Sequence, residues 1–264
     1  MNWQKYDLVF RLLAPLHVGW RKVSNLQQTR GYVTGKMFWA ALTARLTREA
    51  NQGANGQMYQ ELGKLVKDNF RFTYLYPALQ TDSDYTLYYP WERDFEYLFL
   101  DSYTSTALDY TYQSAEDGML HETEFISPCT CDGQSVYLKG VLYTQNNLDE
   151  KLKNWQDALS KLQFGGERGY GWGSVRPVVC KQDETYNGDE PKIQVAENSH
   201  ITAHLKTEKA TNVIGSIEPL IGWERNNGNG HPWKLSDKAV ICYAPGSITS
   251  IKKTFSIVDY GLWE

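Results

Sequence analysis

Apolar and polar positions change period several times along the 264-residue chain. Trp3–Leu13 (WQKYDLVFRLL) is rich in β-formers and bounded by Pro15, which predicts a strand. The stretch APLHVGWRKVSNLQQTRGYVTG then reads as a loop or short hairpin. From Gly35 the period becomes helical, with Phe38, Ala41, Leu42 and Leu46 on one stripe and Lys36, Arg45 and Arg48 off it. The NQGANG cluster closes that helix, and Gln57–Lys67 predicts a second short one. Phe70–Tyr76 reads as a strand that stops at Pro77, and Ser135–Thr144 as another. Between them, residues of about 78–128 are too long for one connection and predict an inserted β-rich excursion. Asn147–Leu162 is the clearest helix, with Leu148, Leu152, Trp155, Leu159 and Leu162 on one face and Asn147 as its cap. Gly173–Cys180 resumes as a strand, and KQDETYNGDEPK reads as a linker. The last third holds short strand-like pieces around an NNGNGHP segment.

The core order is therefore β–α–(insertion)–β–β–α–(glycine loop)–β, the ferredoxin-like or RRM-like arrangement. The expected fold is α+β: such a core over residues 1–180, and a small β-rich C-terminal domain, extension or partial second RRM-like unit over 181–264. The sheet face and loops of this arrangement commonly bind single-stranded RNA, although fold alone does not establish function.

The stretch LQFGGERGYGWGSVR (Leu162–Arg176) carries Gly165, Gly166, Gly169, Gly171 and Gly173 within nine residues. Arg168 lies among them, and Tyr170 and Trp172 alternate with the last three glycines. Such a loop can form an anion-binding concavity from successive N–H groups, with a guanidinium for phosphate and aromatic faces for bases. The plainer alternative is a turn whose aromatics belong to the core. The loop follows a helix and lacks the Lys-Ser/Thr ending of a P-loop, which argues against a nucleotide-cofactor site and for a polynucleotide backbone.

Charge is uneven. The whole chain carries −4, yet residues 1–50 hold eight basic residues against Asp7 and Glu49. Residues 81–124 hold eleven acids against Arg93 alone. One end of the chain suits a polyanion and the other suits a basic protein neighbour. Asp101, Asp109, Glu116, Asp117, Glu122 and Glu124 read as acidic surface rather than as a metal or catalytic cluster. Four cysteines, with only the C-x-C pair Cys129/Cys131 close together, give no zinc spacing and suit a cytoplasmic protein without a membrane span. His200 and His204, in the alternating HITAHL, are expected on one strand face.

Taken together, LLAPLHVGW, RGYVTGKMFWAALTARL, FRFTYLYPAL and the helix leading into LQFGGERGYGWGSVR resemble the RAMP superfamily of CRISPR-associated proteins, the RRM-like subunits of type III effector complexes. TALDYTYQSAEDGMLHETEF resembles a segment of some members, and APGSI an echo of the helix-start motif or a late β element. The resemblance implies a guide-RNA (crRNA)-binding subunit of an antiviral-defence ribonucleoprotein. Its implied partners are crRNA, target RNA and other effector subunits, and no cofactor or metal is implied. It departs at Thr34-Gly35-Lys36, where the family has Pro-Gly-Ser, with Lys36 restoring the lost phosphate contact. Target-cutting members carry an Asp in the first loop, whereas WRKVSNLQQTR has no carboxylate, which implies binding without cleavage. The expected RNA contacts are His17, Trp20, Arg21, Lys22, Arg30, Lys36, Arg45, Gly165, Gly166, Arg168, Gly169, Tyr170, Gly171 and Trp172. Two alternatives remain: a metal-independent endoribonuclease processing guide precursors with His17 as acid or base, and a protein-only scaffold. The acidic insertion is expected against an adjacent subunit, the target duplex edge, or both.

Overall fold

The computed structural model describes residues 3–51, 56–225, 233–235 and 239–264. The chain is α+β with mostly strand content and several sheets. Its N-terminal part runs β1 (Trp3–Leu12), β2 (Gly19–Val23), β3 (Leu26–Thr29), α1 (Gly35–Asn51), α2 (Gly56–Asn69), β4 (Phe70–Phe72), β5 (Tyr76–Gln80) and β6 (Tyr85–Leu87). It continues with α3 (Phe95–Phe99), β7 (Leu100–Ser105), β8 (Leu108–Asp109), β9 (Ser114–Ala115), β10 (His121–Ile126), β11 (Val136–Gln145), α4 (Trp155–Leu159) and β12 (Val175–Gln182). The NQGANG turn lies largely, and NNGNGHP entirely, outside the described residues.

The main sheet has the order β12-β1-β11-β5-β6, with β4 also on β11 and every pairing antiparallel. Alternation along β1 sends Tyr6, Leu8, Phe10 and Leu12 to one face, where they meet Phe38, Leu42 and Leu46 of α1, Leu62 and Val66 of α2, and Trp155 and Leu159 of α4. Edge-to-face aromatic pairs lock this layer: Tyr6 on Trp155 at 5.0 Å between centroids, and Phe10 on Phe164 at 5.8 Å. The opposite face holds Trp3, Tyr74, Tyr76 and Tyr143, which pack with Tyr32 against Val195, Ile201, Leu205, Phe255 and Trp263 of the C-terminal part. A second sheet, β2-β3-β10-β7, joins the early hairpin to the acidic insertion.

Four expectations are corrected. The Phe70–Tyr76 strand does not end at Pro77. It breaks at 73–75, where Gly140 of β11 leaves room for the Tyr74 carbonyl, and Pro77 lies inside β5. Proline lacks only a donor, and its carbonyl accepts the Tyr88 N–H at 2.9 Å. Asn147–Leu162 is not one helix. A 3₁₀ turn at Glu150–Leu152, capped by Asp149 rather than Asn147, precedes the short α4. The apolar face is still right, since Leu152, Trp155, Leu159 and Leu162 are buried, but the Asp149 side chain accepts the Lys151 N–H and starts a separate 3₁₀ turn ahead of α4. The 181–192 stretch is no free linker. Lys181 and Gln182 extend β12 along β1, Asp183 ion-pairs with Lys5 at 2.9 Å, and Gly188 bridges to Trp3. Finally, His200 and His204 do not share a face. They sit in and beside separate small strands, His200 exposed on the Trp91 ring and His204 fully buried.

Candidate nucleic-acid interface

The glycine-rich loop closes on itself and onto the chain before β2. Phe164 N–H donates to the Gly173 carbonyl at 2.9 Å, Gly173 N–H to Pro15 at 2.7 Å, and Gly166 N–H to His17 at 2.9 Å. Two glycines are required by this packing. A Cβ on Gly165 (φ +78°) would lie 2.2 Å from the His17 carbonyl oxygen, and one on Gly173 (φ +73°) 1.7 Å from that of Phe164. Gly169 and Gly171 face open space at the tip.

The tip is one 3₁₀ turn, Arg168–Tyr170, set between Glu167 and Gly171, both left-handed. The N–H groups of Tyr170, Gly171 and Trp172 bond back to Glu167 and Arg168 carbonyls. The expected anion concavity of successive N–H groups is therefore largely closed by internal bonds, and what the tip presents is side chains. Arg168 is exposed and Tyr170 is 83% exposed. Trp172 turns inward, with its ring 5.1 Å from Phe125 and 6.5 Å from Tyr103, so it anchors the loop to the second sheet.

His17 lies beneath this loop, 7% exposed. Its Nδ1 is 2.7 Å from the Glu124 carbonyl; a carbonyl only accepts, so Nδ1 carries the hydrogen. Its ring sits between Gly166 and Gly19, the first residue of β2. Glu124 also accepts the Thr29 N–H at 2.8 Å, so one residue of β10 holds both His17 and the end of β3.

The β2–β3 hairpin leaves every β2 residue exposed. Trp20 is 46% exposed, with the Arg21 guanidinium 4.1 Å above its ring, and Arg21 Nε donates to Gln28 at 2.6 Å. Arg21, Lys22, Trp20, Arg168 and Tyr170 thus form a solvent-facing set on two segments joined through His17.

Three expected contacts are placed elsewhere. Arg30 is committed to a bidentate pair with Glu218 (2.8 and 3.0 Å) and donates to Tyr32 at 3.0 Å, so its fork is not offered to phosphate. Lys36 lies over the Tyr260 ring at 5.6 Å and close to Gly222, at the C-terminal part rather than at the loop. The α1 start is itself covered, since a Cβ on Gly35 would be 2.3 Å from the Tyr260 carbonyl. Arg45 pairs with Glu49 at 2.9 Å, and Glu49 also meets Lys161 at 3.1 Å.

Sequence reading missed a buried network behind the hairpin. Glu218 meets Arg30 and His204 Nε2 (2.5 Å), and His204 Nδ1 meets the Tyr74 hydroxyl (2.6 Å). Burial pushes the Glu218 carboxyl up, but hydrogen bonds from His204 and Arg30 and the adjacent Arg30 charge outweigh it and pull it down to about 2. Burial lowers His204, and the bond to Glu218 does not reverse this. A neutral ring then donates from Nε2 to Glu218 and accepts from Tyr74 at Nδ1. Arg30 and Glu218 are 188 positions apart, so no local pattern announces the pair. Among the described residues, no group of three or more His, Cys, Asp or Glu could hold a metal ion, and no helix is long and apolar enough to cross a membrane.

The fold has solved counterparts. The chain is similar over 94% of its length to a chain of a type III-B Cmr-beta cryo-EM structure bound to cognate target RNA and AMPPnP, covering 86% of that chain with a TM-score of 0.53 and 12% identity. It is similar, with the same coverage and identity and a TM-score of 0.51, to a chain of Cmr-beta bound to cognate target RNA. Identity this low shows a shared fold and no more. No family model matches the chain, and no curated protein matches it in sequence.

Proposed function

We propose that the chain is a guide-RNA-binding, non-cleaving subunit of a type III CRISPR effector ribonucleoprotein, built on a ferredoxin-like RAMP core. The strand order β12-β1-β11-β5, with helices on one face, supports that core assignment. The observation that carries the function is the joining of two basic, aromatic-bearing segments around His17, in a fold similar to chains of RNA-bound Cmr-beta. Arg21, Lys22 and Arg168 take the phosphates, and Trp20 and Tyr170 stack on bases or ribose. His17, Gly165, Gly166 and Trp172 shape the surface from below, and Gly169 and Gly171 keep the tip narrow. The first loop, without a carboxylate, holds RNA and does not cut it.

The test is filter binding of guide RNA across a salt series. Arg21→Ala, Lys22→Ala and Arg168→Ala together are expected to weaken affinity at least tenfold and flatten the log–log salt slope by about 2, as loss of three single-strand phosphate contacts would. Unchanged affinity and slope would sink the proposal. Cleavage of repeat RNA in EDTA that His17→Ala abolishes would replace it with an endoribonuclease, and a purified complex free of RNA would replace it with a scaffold.

A further inference from the structure

The acidic insertion carries an arm whose tip is left exposed by the described residues. β7 and β10 pair along their full lengths, from His121 opposite Ser105 to Ile126 opposite Leu100. Beyond them the chain continues as the two-residue strands β8 and β9. Its tip is held by Asp109, whose carboxylate accepts the N–H groups of Thr111 (2.8 Å) and Tyr112 (3.3 Å). The rings on this built tip are nonetheless in solvent: Tyr110 is 86% and Tyr112 80% exposed. Leu108, Met119 and Leu120 are exposed beside them, and Tyr103 at the arm's base. Apolar side chains gathered on one projecting element mark a contact surface more often than chance exposure.

Charge selects the occupant. No Lys or Arg occurs between Arg93 and Lys139, while Asp109, Glu116 and Asp117 flank the tyrosines. On the arm itself a phosphate backbone would find carboxylates and no Lys or Arg. A guanidinium finds both things it binds well, a flat ring and a carboxylate fork. Tyrosine on one side and arginine on the other are also the residues most enriched at protein contacts. The chain's own basic surface, around Trp20 and Arg168, is the face assigned to RNA, so the occupant is a different protein.

We infer that the 100–121 arm is a docking element for a basic surface of another protein subunit, with Tyr110 and Tyr112 as its anchors. The inference rests on the proposed place in a ribonucleoprotein. The experiment uses the intact complex purified through a tag on this chain, joined by zero-length carbodiimide coupling and read by peptide mass spectrometry. Expected are links from Asp109, Glu116 or Asp117 to lysines of a different subunit. In the Tyr110→Ser/Tyr112→Ser variant, retention of that subunit falls at least tenfold while RNA per chain is unchanged. Both tyrosines are surface residues, so the variant folds. Photo-crosslinks from the tip tyrosines to RNA would overturn the inference in favour of a nucleic-acid contact, and links to a second copy in favour of self-association. Full retention of the subunit by the variant would also overturn it. A complex free of RNA that still shows the predicted links would remove the RNA-binding reading and leave the docking surface standing.

Discussion

A Cβ on Gly173 would sit 1.7 Å from the Phe164 carbonyl oxygen, at a φ of +73° that L-residues rarely adopt. Gly165 is confined in the same two ways by His17. Gly169, four residues on, has nothing within 4 Å. The glycines of one loop therefore have different reasons to be glycine. Gly173→Ala is expected to destabilise by about 3 kcal/mol or more, through strain plus a backbone clash, and Gly169→Ala by no more than about 0.5 kcal/mol. Urea unfolding of the two variants checks this, and equal midpoints would refute it. The cluster itself was legible in the sequence. Which of its members were structural was not, because Gly165 is confined by His17, about 150 residues earlier in the chain, and Gly173 by the way the loop folds back onto the Phe164 backbone.

At the scale of elements, the hairpin that carries Trp20, Arg21 and Lys22 has a narrow attachment. β3 meets β10 in parallel at only two residue pairs, Leu26 with Glu122 and Gln27 with Thr123. The Glu124 side chain adds the bond to Thr29 N–H, and the Glu124 carbonyl adds the bond to His17. Glu124→Ala leaves the first donor without its partner, at a cost of about 1–2 kcal/mol, while the backbone bond to His17 persists. Hydrogen exchange should then quicken across β2 and β3 and stay slow in β11. Uniform exchange rates in variant and parent would show that the hairpin is held some other way. The hairpin and the β-rich excursion were both expected from the sequence, but their union into one sheet was not. Alternation specifies which face of a strand is buried; it does not specify the partner edge. The same limit explains α4, where the 3.6-residue spacing named the buried side chains correctly while the Asp149 cap set a separate 3₁₀ turn in place of the helix that spacing suggested.

For the molecule as a whole, the Arg30–Glu218–His204–Tyr74 network ties the hairpin, the main sheet and the C-terminal part together. Arg30 and Glu218 are largely buried, with side chains 14% and 20% exposed. Glu218→Gln leaves a buried guanidinium without its counter-charge, an expected loss of about 3 kcal/mol at neutral pH. The pH dependence has a definite sign. Glu218, pulled down to about 2, contributes stability that is full above the unfolded carboxyl value of about 4.3 and is lost as pH falls toward 2. His204 is lowered as well, so below about pH 6.5 the unfolded chain binds the extra proton and stability falls in the same direction. The parent Tm should therefore decline from about pH 6.5 and steeply below about 4.5, with a flatter acid limb in Glu218→Gln. Parallel Tm–pH curves for the two proteins would exclude this network as the source of acid sensitivity.

By itself the sequence determined many of the local choices: the strands of β1 and β11 and the helices α1 and α2, the side chains that face a core, where glycine permits a tight loop, and where charge of each sign collects. Backbone sterics, side-chain period and charge act over a few residues, so they can be read in chain order. Only the tertiary structure decided which charges are spent and which are offered. Arg30 and Arg21 look alike in the string WRKVSNLQQTR, yet Arg30 closes on Glu218 from the far end of the chain and Arg21 lies in solvent over Trp20. The physical reason is desolvation: an ion buried by packing must find its counter-ion, and packing brings together residues that sequence keeps far apart.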